Sequence, residues 1–548
     1  MFDFLNNQQQ PEEQDDTTAD RLVTLIVLDG FGTHPDPLGN AVLAAKTPFL
    51  DTVWTHCKST LVHASGTHVG LPDEIAGNSE VGHLNLGAGQ VVYQSLPRIN
   101  EAIAHHELED NSVIQGMFDH LDKNSSKLHL VGVLSAAGVH GHIEHLFSLL
   151  ELCKRKGVDP YIHIILDGRD TPPKEGFWYI NKLNSKIKEL GIGQIASMMG
   201  RFYGMDRDNR WERTKLAYDA MVGLSNNKFT DPVKALEDSY DKNVTDQFII
   251  PSVAVDQRGD LIGRVQSNDA ILFWNFREDR ARQLTKAFVM NPWNYFVRRE
   301  YPENVYFVTM TGYEENLPAK VIFPPHKVKL PLAEYLSSNS IKQLHISETE
   351  KHMHVTYFFN GGIEEPHRGE DVVNIPSPRV NDYAETPAMS AEKIKDETVS
   401  RIKRNGELGY KFILINFANP DMLGHTGNLR ATTEANEITD GFTAEIAKAT
   451  LEMGGAVIVT ADHGNCETMI NRETHQVDIA HTNNPVPLII LESIDQMLGK
   501  DGRELEKVGT GEKAKITGIL ADVAPTVLGL MGVDIPGIMT GMDLARII

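Results

Sequence analysis

Short apolar runs, each closed by a glycine turn or a cluster of charged residues, recur along this chain with room for a helix between them. Residues 22–28 are apolar except for Thr24 and end at Asp29-Gly30-Phe31-Gly32. Residues 129–134 lead to Ser135-Ala136-Ala137-Gly138, 161–166 to Asp167-Gly168-Arg169-Asp170, and 270–274 to Asn275-Phe276-Arg277. In the last third, 412–417 lead to Asn419-Pro420-Asp421 and 456–459 to Thr460-Ala461-Asp462-His463-Gly464. A continuous apolar run bounded by turn residues predicts a strand covered on both faces, the habit of parallel sheets packed between helices. The aromatic run 355–359, closed by Asn360-Gly361-Gly362, reads as one more such strand. Alternating strands and helices throughout place the chain in the α/β class.

At 548 residues the chain exceeds what one core supports, so two domains are expected. Residues 1–20 are polar and acidic, without the basic and apolar regions of a signal peptide, and read as a disordered tail. No apolar run approaches the roughly 18 residues that span a bilayer, so no membrane role is expected. A formal charge of -23 argues against a nucleic-acid or anionic-membrane surface, and an anionic ligand then needs a local cluster of arginines. Three cysteines, Cys57, Cys153 and Cys466, lack metal-site spacing and suit a reducing cytoplasm.

In open parallel sheets ligands bind beyond the carboxyl ends of strands, which is where the acids and histidines fall. Asp29 and Asp462-His463 each follow a strand; Asp421 and His425 have the i, i+4 spacing that places them side by side on a helix; His481 stands in a later loop. His140, His142 and His145 admit two readings, a zinc site or hydrogen bonding to an anion, and only the last two share a helical face. Arginines gather at Arg169, Arg201, Arg207, Arg277 and Arg280, and their planar forks match carboxylate and phosphate oxygens. Ser79, in Gly77-Asn78-Ser79-Glu80-Val81-Gly82-His83, would ordinarily be a cap or turn residue. As a nucleophile it needs an adjacent base or a metal ion.

Taken in order, these motifs, with Gly200-Arg201, Met205-Asp206-Arg207-Asp208, Asp279-Arg280-Ala281-Arg282-Gln283, Glu348-Thr349-Glu350-Lys351, Gly424-His425 and His481-Thr482, resemble a family from about Arg21 to the C-terminus. It is the cofactor-independent (2,3-bisphosphoglycerate-independent) phosphoglycerate mutases of the alkaline phosphatase superfamily. The resemblance implies an alkaline-phosphatase-like metal-binding domain, residues 21–94 and 326–548, with an α/β transferase domain, 95–325, inserted into it. One metal would be held by Asp421, His425 and His481, and a second by Asp29, Asp462, His463 and the Ser79 oxygen. Mn²⁺ is the family's usual ion; Zn²⁺, Co²⁺ and Mg²⁺ are alternatives for such oxygen and nitrogen ligands. Ser79 would take the phosphoryl group of 3-phosphoglycerate, with charge balanced by Arg277, Arg280 and Lys351. His140, Arg169, Asp170, Arg201 and Arg207 would hold the glycerate while it reorients under a closed cleft and recovers the group on its 2-hydroxyl. A monomer acting in the cytoplasm is implied. The chain departs from the family at Ser135-Ala136-Ala137-Gly138, where an acid and a second glycine are usual, and at Cys466, which reads as a buried thiol.

Overall fold

The computed structural model describes residues 21–324, 328–499 and 503–548, so the acidic tail expected at 1–20 lies outside the described residues. The chain divides into two compact units, Met1–Gln94 with Lys327–Ile548, and Ser95–His326.

In the first unit an eight-stranded sheet runs, edge to edge, Glu370–Ile375, Lys342–Glu348, Tyr410–Phe417, Val23–Leu28, Ala456–Thr460, Val486–Leu491, Lys58–His63 and Ile516–Ile519. Val23–Leu28 is buried at every position and pairs in parallel with Tyr410–Phe417 on one side and Ala456–Thr460 on the other. Its apolar side chains therefore face helices both above and below, as an uninterrupted hydrophobic run requires. The long helix Leu429–Glu452 packs on this sheet and on the helix Pro48–His56. Asp440 of the long helix accepts the amides of Leu50 at 2.7 Å and Phe49 at 3.1 Å, supplying the N-terminal cap that Thr47 does not.

In the second unit the order is Lys320–Phe323, Tyr306–Thr311, Ala270–Phe273, Leu128–Leu134, Tyr161–Leu166, Gln194–Gly200, Ser252–Ala254 and Lys228–Phe229. Successive residues of the strand Leu128–Leu134 feed two separate cores: Leu130 and Leu134 join Leu146, Ile164 and Ile180, whereas Val131 and Val133 join Ile165, Ala217 and Phe288. The alternation follows from the two-residue period of a pleated strand.

The strand expected at 355–359 is instead helical, His354–Phe358. Val355, Thr356, Phe359 and Asn360 are buried while the residues between them are half-exposed, a helical spacing. An apolar run this short carries no period of its own, and packing decided it. Among the described residues no helix is long and apolar enough to cross a membrane.

Candidate active site

The first cluster grows from the carboxyl ends of three adjacent parallel strands. Asp29 directly follows Val23–Leu28, Asp421 lies in the helix Asn419–Gly424 beyond Tyr410–Phe417, and Asp462 and His463 follow Ala456–Thr460. Gly30 turns the chain at φ +70°, and a Cβ there would stand 2.8 Å from the Asp421 Cα, so only glycine lets these two strand ends approach. Ser79 opens the helix Ser79–Ala88, capped by Asn78, whose side chain accepts the Val81 amide at 3.0 Å. The helix rests on the Asp462 loop at Gly82, where a Cβ would meet the Asp462 carbonyl oxygen at 2.5 Å. Ser79 Oγ is thereby buried 3.1 Å from Asp29 Oδ1, 2.9 Å from His463 Nε2 and 2.7 Å from Lys351 Nζ.

Two groups that could hold a metal ion lie in this cluster, Asp421 with His425 and His481, and Asp29 with Asp462 and His463, the candidate donor atoms of each lying within 4.8 Å of one another. His425 Nδ1 donates to the Ile479 carbonyl at 2.9 Å and His481 Nδ1 to that of Gly77 at 3.0 Å, which leaves both Nε2 atoms as lone-pair donors to a metal. These Nε2 atoms face each other at 3.0 Å and each stands 3.3 Å from Asp421 Oδ1. In the second group, His463 Nε2 is 3.4 Å from Asp29 Oδ1 and 3.6 Å from Asp462 Oδ2. His83 Nδ1 lies 3.1 Å from Asp462 Oδ2 but gives its proton to the Ser79 carbonyl at 2.9 Å, so that carboxylate oxygen is buried without a hydrogen bond. Lys351 Nζ, 2.5 Å from Asp29 Oδ1 and 2.6 Å from Asp421 Oδ2, is among the described residues the single ammonium set against three buried carboxylates. Inward lone pairs, an orphaned carboxylate oxygen and surplus negative charge fit two divalent cations bound through oxygen and nitrogen.

The electrostatics of the metal-free cluster follow from this crowding. Burial pushes the Asp29 and Asp421 carboxyls up, but the Lys351 ammonium and the neighbouring imidazoles hold both well below the usual carboxylate range. Burial works against the Lys351 ammonium, and Asp29, Asp421 and Asp462 overcome it and hold its pKa above the ordinary lysine value. For His463, burial disfavours the imidazolium, yet Asp462, Asp29 and Asp421 together push its pKa up to about 10. The bond to Asp421 likewise raises His425.

The second unit gathers a different set, again at strand ends. Arg201 is buried and bonds Asp167 and, at 2.6 Å, Asp170. Arg207 reaches Asp279 at 2.8 Å, Arg277 Nε stands 3.6 Å from Asp279, and His140 sits between Asp279 at 3.5 Å and Asp170 at 3.7 Å. Arg280 donates to the Met205 carbonyl; burial lowers its pKa, as do the positive charges of Arg201, Arg207 and Arg169, which marks how closely these side chains converge. Burial, followed by Arg201, lowers His140 to about 4, so it is neutral at physiological pH. Five arginines against Asp167, Asp170 and Asp279 leave positive charge for an anionic ligand.

The zinc reading of the 140–145 histidines does not hold. The ring of His142 accepts the Glu144 amide as a helix cap, and His145 Nε2 bonds Asn100 at 2.8 Å, so the three rings serve separate partners. Sequence reasoning passed over several supporting residues. Asn416 donates to Asp29 Oδ2 at 2.7 Å and to His83 at 3.0 Å, and Asn465 donates to Asp421 Oδ1 at 2.8 Å. The only signal for Asp167 and Asp279 was their place beside arginines at strand ends.

Comparison with known proteins gives one answer. Residues 99–315 match the family model described as BPG-independent PGAM N-terminus. The 2,3-bisphosphoglycerate-independent phosphoglycerate mutase of Clostridium tetani is 45% identical over 95% of this chain and 98% of its own length. That of Acetivibrio thermocellus is 43% identical over 96% and 99%. Among solved structures, Leishmania mexicana phosphoglycerate mutase, crystallised at low cobalt concentration, aligns with a TM-score of 0.58 at 32% identity, covering 96% of this chain and 98% of that one.

Proposed function

Because the chain belongs to the 2,3-bisphosphoglycerate-independent phosphoglycerate mutases, isomerases that interconvert 3-phosphoglycerate and 2-phosphoglycerate, we propose that it works through a phosphoserine on Ser79. In this reading Asp421, His425 and His481 hold one divalent cation, and Asp29, Asp462 and His463, with the Ser79 oxygen, hold the other. Bound there, the cations would supply the charge that favours the alkoxide form of a serine and neutralises phosphoryl oxygens.

The chain's own groups account for the remaining steps. Lys351 Nζ hydrogen-bonds the Ser79 oxygen and balances charge on the phosphoryl group as it moves. The Ser79 Oγ–P bond forms as the substrate's C3 O–P bond breaks, releasing glycerate; the reverse attack by the 2-hydroxyl then gives 2-phosphoglycerate and frees Ser79. The 95–326 unit supplies anion recognition: Arg169, Arg201, Arg207, Arg277 and Arg280 bind carboxylate and phosphoryl oxygens, while Asp170 and neutral His140 accept and orient the glycerate hydroxyls. The first unit is read as the phosphatase-like, metal-holding domain and the second as the transferase domain. Manganese in the cell, a monomer and a cytoplasmic site complete the reading, supported by the mixed oxygen and nitrogen ligands and by three buried, unpaired cysteines.

The observation that carries this is Ser79 Oγ held within hydrogen-bonding distance of an ammonium, a carboxylate and an imidazole between two ligand groups. Incubation with 3-phosphoglycerate and Mn²⁺, without added bisphosphoglycerate, tests it: the product is 2-phosphoglycerate and quenched protein carries one phosphoryl group on Ser79. Free phosphate as the main product overturns it in favour of a phosphatase.

A further inference from the structure

Glu467 is 1% exposed, and among the described residues no cationic side chain pairs with it. A buried carboxylate without a counter-ion is costly unless its oxygens are well supplied with donors. Here the donors are neutral and come from both sides: Oε1 accepts the Thr482 hydroxyl and, at 2.8 Å, the Asn484 amide, and Oε2 accepts the Asn465 backbone amide at 2.8 Å. The glycines Gly32 and Gly464 press against it, and a Cβ at Gly464 would stand 2.6 Å from Oε1.

These contacts join three segments that each bring a ligand to the first cluster: the Asp29 turn ending at Gly32, the loop of Asp462 and His463, and the loop of His481 and Thr482. Beside Glu467, the His481 loop is tied to the His463 loop by one backbone bond, Thr482 N to Gly464 O at 2.9 Å. Asn465, whose amide Glu467 receives, also bonds Asp421 Oδ1 through its side chain. We infer that Glu467 is a positioning residue: it sets the spacing of the His463 and His481 loops and thereby how tightly the chain holds its divalent cations. It is not itself one of the proposed metal ligands, and the inference rests on the metal reading above.

Full-length Glu467→Gln and Thr482→Val, stripped of metal by chelation, test it. The glutamine keeps the shape but turns an N–H₂ toward one of the donors, and the valine removes one bond from the opposite loop. Titration calorimetry with Mn²⁺ should show affinity about 10- to 100-fold lower for Glu467→Gln, the range found when groups orienting metal ligands are removed, and a smaller drop for Thr482→Val. Raising Mn²⁺ should restore most turnover, while the chelated variants melt within a few degrees of wild type. Unchanged Mn²⁺ affinity in both variants overturns the inference, as does a large fall in melting temperature with unchanged affinity, which marks a purely structural residue. If Glu467→Gln does not fold, Thr482→Val decides alone. Wild-type protein that binds Mn²⁺ but converts no 3-phosphoglycerate sinks the functional reading and leaves the affinity comparison standing.

Discussion

Ser79, Lys351 and His463 have separable proposed duties in the first cluster. Ser79 is the proposed acceptor, and among the described residues no other nucleophile shares its place, so Ser79→Ala should abolish turnover and phosphorylation while Mn²⁺ binding persists through the proposed acid and histidine ligands. Activity within tenfold of wild type, about 1.4 kcal/mol, would rule out the covalent route. Lys351 balances Asp29 and Asp421, and Lys351→Met should cost the chelated protein about 3–5 kcal/mol in denaturant unfolding, because two carboxylates lose their buried partner. His463 gives a pH test with a definite sign. Its folded value of about 10 exceeds the unfolded value of about 6.5, so its contribution to the chelated protein is complete below pH 6.5 and lost as pH rises through 10. Metal binding must displace that proton and tightens over the same range. Melting curves with and without Mn²⁺ at a series of pH values should therefore show opposite trends.

At the level of helices and strands, the Ser79 helix depends on its contact at Gly82. Gly82→Ala would drive a methyl into the Asp462 backbone, so it should lower stability by about 1–3 kcal/mol and reduce kcat more than it changes KM, as steady-state kinetics would show. Most of these elements were legible because strands buried on both faces announce themselves as unbroken apolar runs, and the acids proposed as metal ligands stand at their ends. Residues 355–359 misled because aromatic residues suit either a strand or a buried helical turn. The supporting groups were illegible for another reason. Asn416 and Asn465 bond partners 387 and 44 positions away, Glu467 meets Asn484 across a loop 17 positions on, and an isolated polar residue carries no periodic signal of its tertiary neighbours.

For the molecule as a whole, each unit encloses hydrophobic cores of its own. A fragment of residues 95–324 should therefore unfold cooperatively by circular dichroism and show no mutase activity, having neither Ser79 nor the proposed metal ligands. The parallel pairing of Val23–Leu28 with Tyr410–Phe417 has a consequence during synthesis. On the ribosome, the earliest strand emerges with both neighbours untranslated, and at elongation rates of 5–20 residues per second it waits roughly 20–80 s for the first of them. The intervening segment has that long to collapse on its own, whereas the amino-terminal strand stays an unmatched apolar ribbon until the carboxyl-terminal half arrives.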